Sequence, residues 1–443
     1  GEPVSLNGEI LSMTLLVIAA YLIGWLWLKI TTLPALIGML LTGIIFQNAG
    51  LYFNRFSRKS YTIPICFRKV ALVIILTRAG LGLDAKVLRK HYAAVLQLGL
   101  LPWLVECICI AITTHYLLAL PWIWGFLLGS MIASVSPAVV VPCLFRLKDE
   151  GYGVAKGIPT LLLAAAAIDD SVSVAVFSII LNAMFSTGSV TWNIIKGPLS
   201  IVAGVLLGSL WGAMTSVIPE KDDVYVVPLR FLALFLGGLE FLYGYIPYLI
   251  GWLKLNTNCY YCITTYVFPG PLAIQGWPVN KNPVSNIFRI LWIFFEPILF
   301  AFTGAQITAS IINNFDVKDF LRKFLLYIGL AMLLRLISTL LVSFGCGLNV
   351  KEKLFIGLAW MAKATVQAAL GPAALDIINS GNSSGGPEEL VYAKALLTVS
   401  VLSVVISAPM GCIIIFLRTY FHGNVTNVFA ISVNLGTKST EGD

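Results

Sequence analysis

The sequence predicts an all-α polytopic membrane protein with about thirteen transmembrane helices. Hydrophobic residues make up 58% of the 443 residues, charged residues make up 11%, and the mean hydropathy is +0.89. So few polar side chains cannot cover the surface of a soluble globule. The apolar runs are too long and too continuous for the alternating strands of a β-barrel, so helices must satisfy the backbone in lipid. We therefore expect a multi-pass integral membrane protein, in the plasma membrane or in the membrane of an organelle.

The apolar runs follow one another along almost the whole chain, and a span needs about 20 mainly apolar residues. The predicted spans are 9–30, 33–49, 63–83, 91–117, 122–145, 156–183, 192–215, 226–250, 255–275, 286–309, 319–345, 352–376 and 390–419. We expect one transmembrane domain over residues 1–423, followed by a polar C-terminal tail at 424–443. The chain begins at Gly1 with no methionine. This indicates a fragment or a processed product, from which an upstream helix could be missing.

Two adjacent aspartates, Asp169 and Asp170, lie midway along the span 156–183, which is otherwise almost wholly apolar. A carboxylate at the centre of a bilayer costs roughly 3 kcal/mol on insertion scales, so such residues usually mark ion pathways or proton relays. The pair therefore predicts a cation-handling site. Adjacent residues on a helix point about 100° apart, so we expect the two carboxylates to have different partners.

Three further charges fall near the middle of apolar spans, namely Glu106, Arg335 and Lys363. Their signs allow Glu106 to pair with Arg335 and one aspartate to pair with Lys363. One carboxylate is then left over as the candidate ion ligand. The alternative, that these pairs only hold helices together, stays open, above all for Glu106 with Arg335. Glu240 and Glu296 also lie inside apolar spans, and the sequence assigns neither a partner.

Prolines predict two interrupted helices. Pro137 and Pro142 lie within one span, where each removes a backbone N–H and clashes with the preceding turn, so the backbone around 133–138 should unwind. Its freed carbonyls would be available to a cation. Gly371 and Pro372 should interrupt a later span in the same way. Broken helices at corresponding places in two halves indicate a transporter site near the membrane midplane, and two simple kinks are the alternative.

Several motifs resemble one known family. They are Ser136-Pro-Ala-Val-Val-Val-Pro142, the segment from Gly151 to Leu162, Asp169-Asp170, and Lys363-Ala-Thr-Val-Gln-Ala-Ala. The chain resembles the NHA branch of the sodium/proton antiporters, which is solute carrier family 9 subfamily B of the cation/proton antiporter superfamily. The likeness covers most of the chain from about Leu11 to Met410. The stretch from Leu249 to Pro271 departs from the small-residue helix of that family.

This resemblance implies a homodimer in which a dimerisation part and a moving core of two inverted repeats are interleaved along the chain. It also implies exchange of Na⁺ or Li⁺ for H⁺. At the positions that match the motifs of this family, the resemblance implies that Asp170 is the ion-binding carboxylate and that Asp169 is the partner of Lys363. The remaining residues implied are a second buried pair, Glu106 and Arg335, and further ion ligands at Ser134 and Val135.

We expect a proton and a cation to compete for one buried carboxylate. Burial disfavours the charged form of a carboxyl group, which brings proton binding toward physiological pH. Na⁺ needs several oxygen ligands, which the aspartates, Ser136 and the unwound carbonyls would offer. Lys363 would leave Asp169 when the cation enters.

Other function classes fit the sequence less well. Cys259 and Cys262 lack the second ligand pair of a zinc site, and the three histidines are isolated, so no cofactor is expected. Intramembrane aspartyl proteases need their two aspartates on facing helices, which neighbours on one helix cannot provide, so we expect no enzyme. A sodium-coupled solute symporter on a similar fold stays open as the alternative.

Overall fold

The computed structural model describes residues 6–31, 33–51, 58–81, 92–136, 139–140, 158–185, 206, 208–218, 223–243, 282–308, 317–345, 350–379 and 387–421. These residues are almost entirely helical, and no strand occurs among them. The α-helices are α1 (Leu6–Thr31), α2 (Ala35–Asn48), α3 (Arg58–Leu81), α4 (Tyr92–Leu118), α5 (Trp122–Ile132), α6 (Ile158–Phe185), α7 (Val226–Tyr243), α8 (Pro283–Gly304), α9 (Val317–Val342), α10 (Val350–Ala359), α11 (Thr365–Leu370), α12 (Ala373–Asn379) and α13 (Pro387–Phe421). Residues 208–217 are also helical, and a 3₁₀ turn, Ser343–Gly345, follows α9.

Six of the described helices are long and apolar enough to cross a membrane, judged by length and composition. They lie at Gly8–Thr31, Tyr92–Leu118, Leu161–Phe185, Pro283–Gly304, Arg322–Val342 and Glu388–Gly411. Large apolar side chains cover their outer faces; Leu22, for example, is 58% exposed and Leu341 is 63% exposed. In water this surface would be unfavourable, whereas in lipid it is the expected one. The protein is a multi-pass integral membrane protein, as the composition predicts.

The predicted spans agree closely with the observed helices. All but one of them contain helix in the described part of the chain, and the span 255–275 lies outside it, as does the predicted tail 424–443. Two spans are not continuous helices. The span 122–145 contains α5 and then a non-helical segment at 134–136, and the span 352–376 contains three short helices, α10 to α12.

The first interruption lies where the sequence predicts it. Helix α5 ends at Ile132, and residues 134–136 are not helical. The two prolines to which the unwinding was attributed, Pro137 and Pro142, lie outside the described residues.

The span 352–376 is broken at two places. Helix α11 ends at Leu370 and α12 begins at Ala373, so a short break lies at Gly371 and Pro372, as predicted. The second interruption proper is a longer break at 360–364, between α10 and α11, which the sequence did not predict. Gly371 keeps right-handed helical angles and its N–H still bonds Gln367 O at 2.9 Å. Pro372 stands just before α12, where a helix does not use the N–H that proline lacks.

The order of a long helix, an interrupted helix and a second long helix occurs twice, in α4 to α6 and in α9 to α13. The two interruptions cross each other. Ser136 N donates to Ala362 O at 2.8 Å, and the hydroxyls of Ser136 and Thr365 are 3.3 Å apart. The non-helical backbone of each break therefore finds hydrogen bonds at the other, inside the bundle and away from lipid.

The helices pack in two groups. The site group consists of α4, α5, α6 and α9 to α13, in which α4 packs against α5, α6 and α9. The companion group consists of α1, α2, α3, α7 and α8, in which α2 packs against α1 and α8. Gly43 and Gly304 allow α2 and α8 to touch backbone to backbone, since a Cβ on either glycine would collide with a carbonyl of the other helix.

A buried ion pair joins the two groups. Arg68 of α3 donates to Asp376 of α12 at 2.5 Å, and both residues are at most 8% exposed. Gln306, just after α8, donates to the other carboxylate oxygen of Asp376 at 3.3 Å. Sequence reasoning did not identify this cluster.

Candidate functional site

Small residues bring three helices of the site group close together. The run from Ala164 to Ala167 on α6 is fully buried, and a Cβ on Gly99 of α4 would lie 2.9 Å from Ala165 O. A Cβ on Gly129 of α5 would lie 2.5 Å from Cys107 O of α4. The polar residues next to these contacts therefore meet in the interior. Asp169 and Asp170 on α6 are 0% and 2% exposed.

The two aspartates have different partners, as the 100° separation predicts. Asp170 Oδ1 accepts a short hydrogen bond from the Ser134 hydroxyl. Asp169 Oδ2 accepts from Val135 N at 3.2 Å and from Arg335 Nη2 at 2.6 Å. Both carboxylates therefore face the first interruption, and Asp169 also faces α9.

Glu106 on α4 is the third buried carboxylate and contacts both buried cations. Arg335 Nη1 donates to Glu106 Oε2 and also to Ala133 O. Lys363 Nζ lies 2.9 Å from Glu106 Oε1 and 3.0 Å from Oε2. Glu106, Arg335 and Lys363 are each 0% exposed.

The predicted pairing of Asp169 with Lys363 is wrong in this structure, because Lys363 contacts Glu106 and Asp169 contacts Arg335. The predicted contact between Glu106 and Arg335 is present, but it is not a separate structural pair. A guanidinium has two terminal nitrogens and can bridge two carboxylates, whereas an ammonium acts as a single point charge. One network therefore joins Glu106, Arg335 and Asp169.

The carbonyls at the end of α5 and just after it already accept hydrogen bonds, and cation binding by the unwound carbonyls at 133–138 stays a prediction. Side chains already donate to every carbonyl from residue 130 to residue 134. The donors are Trp103 and Ser173 to Ser130 O, Gln367 to Met131 O, Ile132 O and Ser134 O, and Arg335 to Ala133 O. A helix end buried in lipid needs such partners for its last carbonyls.

Ser136 lies at the crossing of the two interruptions. Its hydroxyl accepts from Thr365 N at 3.4 Å, and within the described residues its hydrogen bonds are with the second interruption and with the following turn rather than with the aspartates. Ser136 therefore joins the two broken helices. Two buried oxygen atoms of the site, Asp169 Oδ1 and Gln367 Oε1, have no hydrogen-bond partner among the described residues.

The remaining residues noted in the sequence are Glu296, Glu240 and the two cysteines of the CxxC spacing. Glu296 of α8 lies in the field of Arg78 of α3, with no ion pair between them in the described structure. The side chain of Glu240 and the pair Cys259 and Cys262 lie outside the described residues. Within the described ranges, no group of three or more His, Cys, Asp or Glu side chains is arranged to hold a metal ion.

Sequence reasoning missed Gln367, although a signal was present. It is a polar residue in the apolar run from Ala364 to Leu370, and it is 0% exposed. A buried amide needs hydrogen-bond partners, so its presence there predicts a specific polar contact.

Comparison with known proteins gives a consistent result. The family model described as "Sodium/hydrogen exchanger, transmembrane" matches residues 16–242 and 272–418. The gap between these two segments contains the whole stretch from Leu249 to Pro271, which departs from the family pattern.

Two human proteins are similar in sequence over most of the chain. Sodium/hydrogen exchanger 9B2 of Homo sapiens is 38% identical over 413 residues, which cover 93% of this chain and 74% of the relative. Sodium/hydrogen exchanger 9B1 of Homo sapiens is 34% identical over 382 residues, which cover 86% and 71%.

A solved structure shows the same fold. The sodium proton antiporter MjNhaP1 from Methanocaldococcus jannaschii superposes with a TM-score of 0.71 at 19% identity, covering 93% of this chain and 98% of that one. At this identity the likeness concerns the fold alone. The family match and the two human relatives carry the assignment further: the chain belongs to the sodium/hydrogen exchanger family, in the 9B branch that its motifs indicate.

Proposed function

We propose that this protein is a secondary active antiporter that exchanges Na⁺ or Li⁺ for H⁺ across a membrane by alternating access, with Asp170 and Asp169 as its ion-binding carboxylates. The names of its relatives, sodium/hydrogen exchangers 9B2 and 9B1, support the reaction. The buried charges support the location of the site.

One observation carries the proposal, the charge balance of the buried cluster. Glu106, Asp169 and Asp170 supply three acidic groups, Arg335 and Lys363 supply two basic groups, and all five are at most 2% exposed. With every group ionised, one negative charge remains. The cations contact Glu106 and Asp169, so the unpaired charge is that of Asp170.

An uncompensated buried charge is strongly unfavourable, and the group neutralises itself where it can. Asp170 can be neutralised by a bound proton or by a bound monovalent cation. Since both occupy the same carboxylate, they exclude each other, and this exclusion is the chemical basis of antiport. The cluster stays neutral in both states.

The oxygens around Asp170 suit a hard cation such as Na⁺ or Li⁺. They are the Asp170 carboxylate, the Ser134 hydroxyl that bonds it, and Asp169 Oδ1, which has no hydrogen-bond partner in the part of the chain that the structure describes. Val135 contributes differently, because its N–H donates to Asp169 Oδ2 and holds that carboxylate in place. Ser136 has the supporting role of joining the two interruptions.

Alternating access would follow from movement of the site group against the companion group. The two interrupted helices would move together as one unit. Hydrogen bonds between the two breaks support this unit, since Ser136 N to Ala362 O and Gln367 to the end of α5 keep both in register. We further propose that two copies associate as a homodimer.

The test is flux into proteoliposomes that contain the purified protein, a pH-sensitive dye and no organic solute. An inward Na⁺ or Li⁺ gradient should drive protons outward. Asp170→Asn should abolish this proton movement, because the variant cannot gain or lose a charge while keeping nearly the same volume. Asp319→Asn is the matched control, since Asp319 is half exposed and pairs with Lys323 at 2.8 Å, one turn along the same helix.

Two results would overturn the proposal. Exchange by Asp170→Asn at more than about a tenth of the wild-type rate, a difference of 1.4 kcal/mol or less, would move the ion site elsewhere. Proton movement that requires an added organic solute would favour the sodium-coupled symporter instead.

A further inference from the structure

Gln367 occupies the crossing of the two interrupted helices. It lies in the first turn of α11, directly after the break at 360–364, and is 0% exposed. Its Nε2 lies 3.0 Å from Met131 O, 3.3 Å from Ile132 O and 3.0 Å from Ser134 O. One side-chain amide thus binds three carbonyls at the end of α5.

These contacts fix the orientation of the amide. With Nε2 facing three carbonyl oxygens, a flipped amide would place Oε1 against them, which is repulsive. Oε1 itself is buried and has no hydrogen-bond partner among the described residues. Burying an amide with its oxygen unpaired is unfavourable. The hydrogen bonds from Nε2 to the three carbonyls offset this cost, so their effect on the end of α5 is the role to consider.

One of the three carbonyls belongs to Ser134, the residue whose hydroxyl bonds Asp170. Ser134 is bound at two points, since its carbonyl accepts from Gln367 and its hydroxyl donates to Asp170 Oδ1. Ser134 lies beyond the last residue of α5, and its N–H makes only a long bond, 3.4 Å, to Met131 O. The amide of Gln367 therefore sets where the Ser134 hydroxyl stands.

We propose that Gln367 is a positioning residue for the cation site, which holds Ser134 against Asp170 and keeps the carbonyls of residues 131, 132 and 134 turned away from the ion. This inference rests on the proposed antiport at Asp170. Site geometry of this kind governs the affinity for a cation and the choice between cations of different size.

The main variant is Gln367→Met, which keeps the length of the side chain and its helix propensity but removes the amide. The matched control is Thr303→Val. Thr303 is 0% exposed and its hydroxyl donates to Ala368 O at 2.8 Å, so this variant removes a buried hydrogen bond to the same helix α11 without touching the end of α5.

The measurements are the apparent KM for NaCl and for LiCl in the proteoliposome assay, and the Na⁺-dependent rise in melting temperature of the purified protein. Gln367→Met should raise the apparent KM for Na⁺ about tenfold, the factor given by 1.4 kcal/mol, and change the ratio of the Na⁺ and Li⁺ values. The maximal rate should change less. Thr303→Val should leave the KM within about twofold of wild type.

A double-mutant cycle tests the route through Ser134. In a Ser134→Ala background the hydroxyl is already absent, so Gln367→Met should change the KM by no more than about twofold. If Gln367→Met does not fold, Gln367→Asn takes its place in the same cycle. It keeps the amide on a side chain shorter by one methylene and should raise the KM less.

The inference is overturned by an unchanged KM in Gln367→Met, by an equal change in Thr303→Val, or by additive effects with Ser134→Ala. A lower KM in Gln367→Met would also overturn it, since the released carbonyls would then be acting as ligands. These outcomes differ from failure of the antiport proposal itself, which would appear as exchange retained by Asp170→Asn.

Discussion

Removing the ammonium group of Lys363 tests which carboxylate forms an ion pair with it. Lys363→Met keeps the side-chain length and leaves Glu106, whose oxygens lie 2.9 and 3.0 Å from Nζ, with Arg335 alone. At 3 Å and an effective dielectric constant of 20, the attraction between two unit charges is about 5.5 kcal/mol. Removing one partner of a buried pair typically costs about 3 to 5 kcal/mol. We expect Lys363→Met to lower the free energy of unfolding by that amount.

The identity of the partner comes from two double-mutant cycles, one of Lys363→Met with Glu106→Gln and the other of Lys363→Met with Asp169→Asn. Residues in contact show coupling of about 0.5 to 3 kcal/mol. We expect the Glu106 cycle to lie near the upper end of that range and the Asp169 cycle to lie clearly below it. The free energy of unfolding is measured by SDS titration in mixed micelles, followed by tryptophan fluorescence.

Lys323→Met is the control for loss of a lysine. Lys323 pairs with Asp319 at 2.8 Å, but its side chain is 37% exposed, and such surface pairs contribute at most about 1 kcal/mol. Equal or stronger coupling of Lys363 to Asp169 would refute the pairing seen here. An unfolding free energy for Lys363→Met that matches Lys323→Met would show that neither carboxylate depends on Lys363.

Three further predictions address the same architecture. Arg335→Lys should reduce Na⁺-driven proton flux at least about tenfold, since an ammonium cannot bridge the two carboxylates, and wild-type flux would contradict the bridging role. Because only Asp170 changes its charge state, one monovalent cation should exchange for one proton, and Na⁺-driven proton flux into proteoliposomes should not depend on an imposed membrane potential. A flux that rises or falls with the potential would refute the charge balance. Arg68→Glu and Asp376→Arg should each destabilise the protein by about 3 to 5 kcal/mol, and the double variant should recover part of the loss in SDS titration, whereas strictly additive losses would argue against their pairing.

The order and number of the helices could be predicted from the sequence because lipid allows so few structures. A backbone in hydrocarbon must satisfy its own hydrogen bonds, so a long apolar run is a helix whatever it packs against. The same reasoning identified Asp169, Asp170, Glu106, Arg335 and Lys363 as the buried charges. An ionisable residue in the middle of such a run has no water to solvate it, and its presence is informative by itself.

The pairing of those charges could not be predicted, because their signs permit several combinations of equal net charge. Tertiary packing chose among them. The close approach of α4, α5 and α6 at glycine and alanine contacts brings Glu106 within reach of both cations. Arg335 then bridges to Asp169, which a lysine at the same position could not do.

By itself, the sequence determined the class of the protein, its helices, the first interruption and the residues of the buried cluster, because each of these depends on local composition in a lipid environment. Only the tertiary structure decided the break at 360–364, the partners of Lys363 and Asp169, and the role of Gln367. These depend on which side chains meet across helices far apart in the chain, such as α4, α5, α9 and α11. No local sequence pattern predicts these contacts, because a hydrogen bond between distant helices depends on the packing of the whole bundle.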